Sequence, residues 1–209
     1  DGLLDGLELR APPVYSGHGS NPADPDSDDD GLSDFIEVTL NDADPAVRDA
    51  DDTDPTDSDT DNDGLSDGLE VLMWGTNPHV QDTDGDTLSD GGELTNLDSN
   101  ASVMDSNDTN PALWDTDGDG LSDSDEFLVH HTDPRDTDHD NDGLPDGQEV
   151  NFAARGYRVT ANGVQGPVIA TPLDPADTDT DNDGASDGDE VLVMFTDPHN
   201  PDSDGDGLD

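Results

Sequence analysis

Carboxylates recur at every second position in seven stretches of the chain, beginning at Asp26, Asp59, Asp82, Asp115, Asp138, Asp179 and Asp202. Each stretch reads Asp-x-Asp-x-Asp, and in six of the seven the next residue is Gly. Three carboxylates spaced by two can converge on one point only if the backbone turns sharply, and Gly at the sixth position permits that turn. Six copies continue to an Asp at position 9 and a Glu at position 12. Oxygen ligands at 1, 3, 5, 9 and 12, with the backbone carbonyl of position 7, are the inventory of a twelve-residue calcium loop.

The complete loops span 26–37, 59–70, 82–93, 115–126, 138–149 and 179–190. The first has Asp26, Asp28, Asp30, Asp34 and Glu37 as predicted ligands, with the carbonyl of Leu32. The second has Asp59, Asp61, Asp63, Leu65, Asp67 and Glu70 in the same roles, and the third Asp82, Asp84, Asp86, Leu88, Asp90 and Glu93. The fourth supplies Asp115, Asp117, Asp119, Leu121, Asp123 and Glu126; the fifth Asp138, Asp140, Asp142, Leu144, Asp146 and Glu149. The sixth supplies Asp179, Asp181, Asp183, Ala185, Asp187 and Glu190. Two departures stand out. Thr87 replaces Gly at position 6 of the third loop, where a β-branched residue makes the turn costly. Ala185 replaces Leu at position 7 of the sixth, where only packing is lost because the ligand is a carbonyl.

Composition fits this reading and removes others. The 209 residues hold 56 acidic and 5 basic side chains, a formal charge of -51, and only 28% are hydrophobic. Such numbers suit a disordered chain or an acidic halophilic surface. Here most of the acids fall on one repeating template, whereas a solvated acidic surface would scatter them. Close carboxylate pairs repel by about 1 kcal/mol in water and roughly four times that at protein-like dielectric. Metal-free, the chain is therefore expected to be expanded; with metal, binding free energy becomes folding free energy. The absence of cysteine excludes disulfides and thiolate metal sites. Hard oxygen donors favour calcium over magnesium, at one ion or more per complete loop, with carboxylate sharing as a route to additional ions. The charge repels nucleic acid, and no stretch is long or apolar enough to span a membrane. Weak loops of this kind fill where calcium is millimolar, which points outside the cell. The lack of an initiator Met and of a targeting segment suggests a mature form or an excised piece.

The elements between the loops are short. Successive loops start 33, 23, 33, 23, 41 and 23 residues apart, an alternation of long and short units. Five residues before each loop stands Asn-Pro or Asp-Pro, preceded in six of seven cases by Ser or Thr. Proline fixes the entering backbone and the Asx side chain favours a turn. After the closing Glu comes a brief apolar run, as in Val71-Leu72-Met73-Trp74, Phe127-Leu128-Val129 and Val191-Leu192-Val193-Met194-Phe195, with room for one or two helical turns. These runs, with the position-7 leucines and with Trp74 and Trp114 as anchors, are expected to form small apolar clusters. The six histidines, His130 and His131 among them, read as loop residues rather than transition-metal ligands. The insertion at 151–172 carries Asn162-Gly163 between β-prone segments, a hairpin signal predicting strands near 156–161 and 164–170.

The phrase Thr76-Asn77-Pro78-x-x-x-Asp82-Thr83-Asp84-Gly85-Asp86-x-Leu88-Ser89-Asp90-Gly91-x-Glu93 resembles the thrombospondin type 3 repeat, especially its bacterial form. The likeness runs along nearly the whole chain. It implies an extended chain wrapped around a line of calcium ions, in calcium-dependent segments of extracellular and cell-surface proteins. It also implies a second ion in some repeats, for which Asp24, Asp57, Asp136 and Asp177 are candidates.

The fold expected is a single, mostly irregular, calcium-stabilised tandem repeat array over 1–209. It would be elongated and solenoid-like, with short helical turns, one β-hairpin and no conventional hydrophobic core. The expected function is structural: a calcium-rigidified extracellular rod, spacer, adhesion segment or filament subunit. Calcium storage or mineral nucleation is the alternative, and no nucleophile–base pair suggests an enzyme. Residues 1–8 match positions 5 to 12 of a loop (Asp1, Asp5, Glu8), and 202–209 match positions 1 to 7 with one residue beyond (Asp202, Asp204, Asp206 and the Leu208 carbonyl). An arbitrary cut from a longer array would produce this; so would a subunit that joins its own copies head to tail, one ion held across the junction.

Overall fold

Each loop turns twice through left-handed backbone, and these two residues build the rest. Position 6 has φ of 99–102° at Gly31, Gly64, Gly120, Gly143 and Gly184, and 92° at Thr87. Position 4 is also left-handed, with φ of 62–63° at Asp29, Asn62, Asn141 and Asn182 and 83–84° at Gly85 and Gly118. Asn, Asp and Gly are the residues that tolerate this region at least cost. The computed structural model describes residues 20–21, 23–40, 51–95, 108–155, 158–161, 164–168, 171–203 and 207.

The chain divides into two units, Asp1–Trp114 and Asp115–Asp209. In the first, the loops at 26–37, 59–70 and 82–93 run into short helices α1 (Asp34–Glu37), α2 (Asp67–Leu69) and α3 (Asp90–Thr95). In the second, α4 (Asp123–Asp125), α5 (Asp146–Arg155) and α6 (Asp187–Asp189) stand in the same places. A serine at position 8 caps most of them. Ser66, Ser122 and Ser186 accept the backbone N–H three residues on, at 3.4, 3.1 and 3.1 Å. Three helices widen into a π-helical turn: π1 (Glu70–Trp74), π2 (Glu126–His130) and π3 (Glu190–Met194). Each ends on a left-handed residue, Gly75, His131 or Phe195, whose N–H returns to the carbonyl of the position-12 Glu.

The Asx-Pro segments make the turns their composition suggests. Oδ1 of Asn21, Asp54, Asn77, Asn110, Asp133, Asp174 and Asp197 accepts the N–H two residues on at 3.1–3.3 Å. In the insertion, β1 (Arg158–Ala161) pairs antiparallel with β2 (Val164–Val168), Ala161 opposite Val164, with an irregularity between Arg158 and Thr160. The Asn162-Gly163 pair between them lies outside the described residues.

Among the described residues, buried Asp and Glu side chains outnumber buried apolar ones. Leu32, Leu65, Leu121 and Leu144 at position 7 are buried, while Leu88 is half-buried. One apolar cluster gathers Leu144, Phe152, Leu173 and Val191, with Phe195 packed against it. The expected burial of the apolar runs holds only in part: Val191 is buried and Phe195 packs on the cluster, while the middles of the runs are exposed. Leu72, Leu128, Val129 and Val193 are 57–65% exposed, and Trp114 is exposed as well. One π-helical turn has only its first residues facing inward, and the inner side is already taken by Glu and the position-7 leucine.

Candidate metal centres

The loop backbone donates its own N–H groups to the loop carboxylates and so fixes where they point. The position-6 N–H reaches Oδ2 of the position-1 Asp in every complete loop: Gly31 to Asp26 at 3.2 Å, Gly64 to Asp59 at 3.1, Thr87 to Asp82 at 3.1, Gly120 to Asp115 at 2.9, Gly143 to Asp138 at 3.0 and Gly184 to Asp179 at 3.0. The position-5 N–H donates to position 3, and the position-7 N–H to Oδ1 of position 5 at 2.7–2.8 Å. Thr87 makes its bond despite its strained φ. At position 3 of five loops the bond takes Oδ1 of Asp28, Asp61, Asp117, Asp140 and Asp181 and so aims Oδ2.

The outcome is convergence. Ligand oxygens of Asp26, Asp28 and Asp30 lie within 4.8 Å of one another, as do those of Asp59–Asp61–Asp63, Asp82–Asp84–Asp86, Asp115–Asp117–Asp119 and Asp138–Asp140–Asp142. The position-12 glutamates are buried beneath them: Glu37, Glu70, Glu93, Glu126 and Glu149 have no exposed surface and Glu190 has 1%. Oε2 of Glu37, Glu70, Glu126, Glu149 and Glu190 is buried with no hydrogen-bond partner, and so is Oδ2 of Asp28, Asp61, Asp117, Asp140 and Asp181. Buried charge without a partner is costly, so these oxygens call for a cation. Hard, anionic oxygens in this number fit calcium and exclude a soft metal.

Protonation shows the same cost. Burial, then neighbouring carboxylates, pushes Glu37, Glu70 and Glu126 up to about 9 and Glu149 to about 10. Glu190 rises to about 7. Chiefly through burial, Asp28, Asp61 and Asp140 are raised to about 6 and Asp117 to about 7.

Position 9 is placed differently from the others. Both oxygens of Asp34, Asp67, Asp90, Asp123 and Asp187 accept from position 2, whose N–H lies at 2.8–2.9 Å and whose Ser or Thr hydroxyl lies at 2.6–2.9 Å. These aspartates brace the loop from inside, and any ligation uses their remaining lone pairs. The four aspartates two residues before a loop, Asp24, Asp57, Asp136 and Asp177, are exposed on the Asx-Pro turns. Asp202 accepts the Gly207 N–H at 3.0 Å, the same position-1 bond as in the complete loops. Asp1, Asp5, Glu8, Asp204, Asp206 and Leu208 lie outside the described residues.

Three contributors were not recognised from the sequence. The threonine before the Asx-Pro pair donates its hydroxyl to Oε1 of the preceding Glu: Thr53 to Glu37 at 3.2 Å, Thr76 to Glu70 at 3.1, Thr109 to Glu93 at 2.9 and Thr132 to Glu126 at 3.3. Thr196 stands in the same place; its hydroxyl, outside hydrogen-bond geometry, still favours the Glu190 carboxylate. Glycine at position 10 is the second. Its N–H crosses to Oδ2 of position 5 in the preceding loop, from Gly68 to Asp30 at 2.6 Å, Gly91 to Asp63 at 2.8, Gly147 to Asp119, and Gly188 to Asp142. An added Cβ at any of these would collide with the preceding loop's backbone. The third is the left-handed position 4. Each left a trace in the sequence: a recurrent Thr, a recurrent Gly, and only Asn, Asp or Gly at position 4.

The family description "Bacterial TSP3 repeat" matches residues 59–81, 115–137, 138–151 and 179–201. Comparison with curated proteins gives no match.

Proposed function

Since the chain carries bacterial thrombospondin type 3 repeats, we propose that it is a calcium-rigidified structural segment of an extracellular or cell-surface protein. The observation that carries this reading is the buried, partnerless Oε2 beneath the loops, as at Glu37, Glu70 and Glu126. An ion at each loop neutralises its carboxylates and fixes a dozen residues at once. The position-10 N–H of Gly68, Gly91, Gly147 and Gly188 then ties four of the loops to the carboxylate of the one before, so filled loops stiffen their neighbours within a unit. No helix among the described residues is long and apolar enough to cross a membrane. The role is that of a spacer or adhesion segment, without catalysis.

Storage or mineral nucleation is the second reading, favoured by the density of acids. Limited proteolysis at fixed protease separates the two. A structural segment resists cleavage in millimolar calcium and is digested rapidly in chelator. A store binds its ions with no gain in protection, and that outcome would overturn the structural reading.

A further inference from the structure

The loop at 138–149 is built without the hydroxyl groups that support its neighbours. At position 2 the loops on either side have Thr116 and Thr180, whose hydroxyls donate to Asp123 and Asp187 at 2.7 and 2.6 Å. Here the residue is His139, which gives Asp146 only its backbone N–H at 2.9 Å and uses Nδ1 to accept from the Asp133 N–H at 3.2 Å. At position 8 the serine cap is replaced by Pro145. Before the next Asx-Pro pair the threonine is replaced by Leu173, buried in the apolar cluster. Leu173 keeps the backbone bond to the Glu149 carbonyl at 3.1 Å but has no hydroxyl for the carboxylate. As a result Oδ2 of Asp146 and both side-chain oxygens of Glu149 are buried without hydrogen-bond partners, on side chains with no exposed surface.

From this we propose that 138–149 is a distinct, low-affinity cation site, the last of the three complete loops in Asp115–Asp209 to fill with calcium. The inference rests on the calcium-binding reading above and deepens it. A hydrogen bond to a ligating carboxylate holds it in its charged form and in its coordinating rotamer, and loss of such a partner typically lowers metal affinity by about 10–100-fold. Glu126 has its partner in Thr132, and Glu190 has Thr196 beside it. Glu149 has neither. Besides its backbone bonds to Asp138, Asp140 and Asp142, what holds this loop in place before the ion arrives is the apolar packing of Leu144, Phe152 and Leu173. The loop is therefore shaped by burial and filled by calcium late.

The position-6 amides report each site separately, because each is bonded to the position-1 carboxylate of its own loop. In a calcium titration of the full chain followed by amide NMR, the bound-state signal of Gly143 is expected at about 10–100-fold higher free calcium than those of Gly120 and Gly184. His139→Thr restores the missing hydroxyl and should move the Gly143 midpoint alone to lower calcium. Thr132→Val removes the partner of Glu126 and should move the Gly120 midpoint towards that of Gly143. The proposal is overturned if Gly143 fills with or before the other two, or if neither variant moves its own loop. If none of the three amides responds to millimolar calcium, the calcium-binding reading itself fails.

Discussion

Gly91 and Gly92 are adjacent in α3, and the structure assigns them opposite sensitivities. A Cβ at Gly91 would stand 2.7 Å from the Asp63 carbonyl oxygen and 2.8 Å from both the Gly64 carbonyl carbon and the Leu65 nitrogen, all backbone of the preceding loop. None of these can move aside without opening the contact between the two loops, and with it the 2.8 Å bond from the Gly91 N–H to Asp63. Overpacking costs about 1–3 kcal/mol, and weakening a hydrogen bond to a charged group about 1.5–3 kcal/mol. The better helix propensity of Ala returns about 1 kcal/mol. Gly91→Ala should thus destabilise by about 2–4 kcal/mol. A Cβ at Gly92 meets only the Ser89 hydroxyl, at 2.9 Å. That group can rotate at the loss of the cap bond it accepts from the Gly92 N–H at 3.1 Å, about 1 kcal/mol. The better helix propensity of Ala offsets this loss, so Gly92→Ala should stay within about 1 kcal/mol of the parent. Thermal unfolding at one fixed free calcium concentration reads the difference. Gly91→Ala is expected to melt about 4–16 °C below the parent, and Gly92→Ala within a few degrees of it. Equal melting of the two variants would refute the loop-to-loop contact.

Two further outcomes follow from the same geometry. Thr87 holds a φ of 92° that favours glycine, so Thr87→Gly should relieve strain of about 1–3 kcal/mol less the entropy cost of glycine, a net gain of about 1 kcal/mol in thermal stability at fixed calcium; a loss would show that Thr87 makes a contact worth more than its strain. The pH response should invert with calcium. The raised values near 9 for Glu37, Glu70 and Glu126 mean that the metal-free fold binds more protons than the unfolded chain. Their contribution to its stability is full below about 4.5 and is lost as pH rises through about 9. In chelator, circular dichroism should show structure gained on acidification from pH 8 to 4; in calcium, the same acidification displaces the ion and weakens the fold. Parallel pH curves in the two conditions would contradict the linkage.

The ligand spacing was legible because it is local: positions 1, 3, 5, 6 and 12 lie within one turn of chain, and their chemistry needs no tertiary contact. The Asx-Pro turns were legible for the same reason. The role of Thr76 was not, because its hydroxyl serves Glu70 of the loop before it. Gly68 was opaque for a stronger reason: its need appears only when the loop 38 residues earlier comes into contact with it. The exposed run of Leu72 and Met73 misled because apolar character normally signals burial. Here the space such residues would occupy is filled by carboxylates that need an ion. Position 9 was read as a ligand like the rest, and the partner it spends both oxygens on is the unremarkable Ser or Thr at position 2.

The central claim is that divalent cations hold this chain in shape, and small-angle X-ray scattering on one sample tests it most directly. The radius of gyration should hold constant in millimolar calcium, and on addition of chelator at neutral pH it should rise towards the roughly 50 Å of an unfolded chain this long. An unchanged scattering profile after chelation would contradict the account.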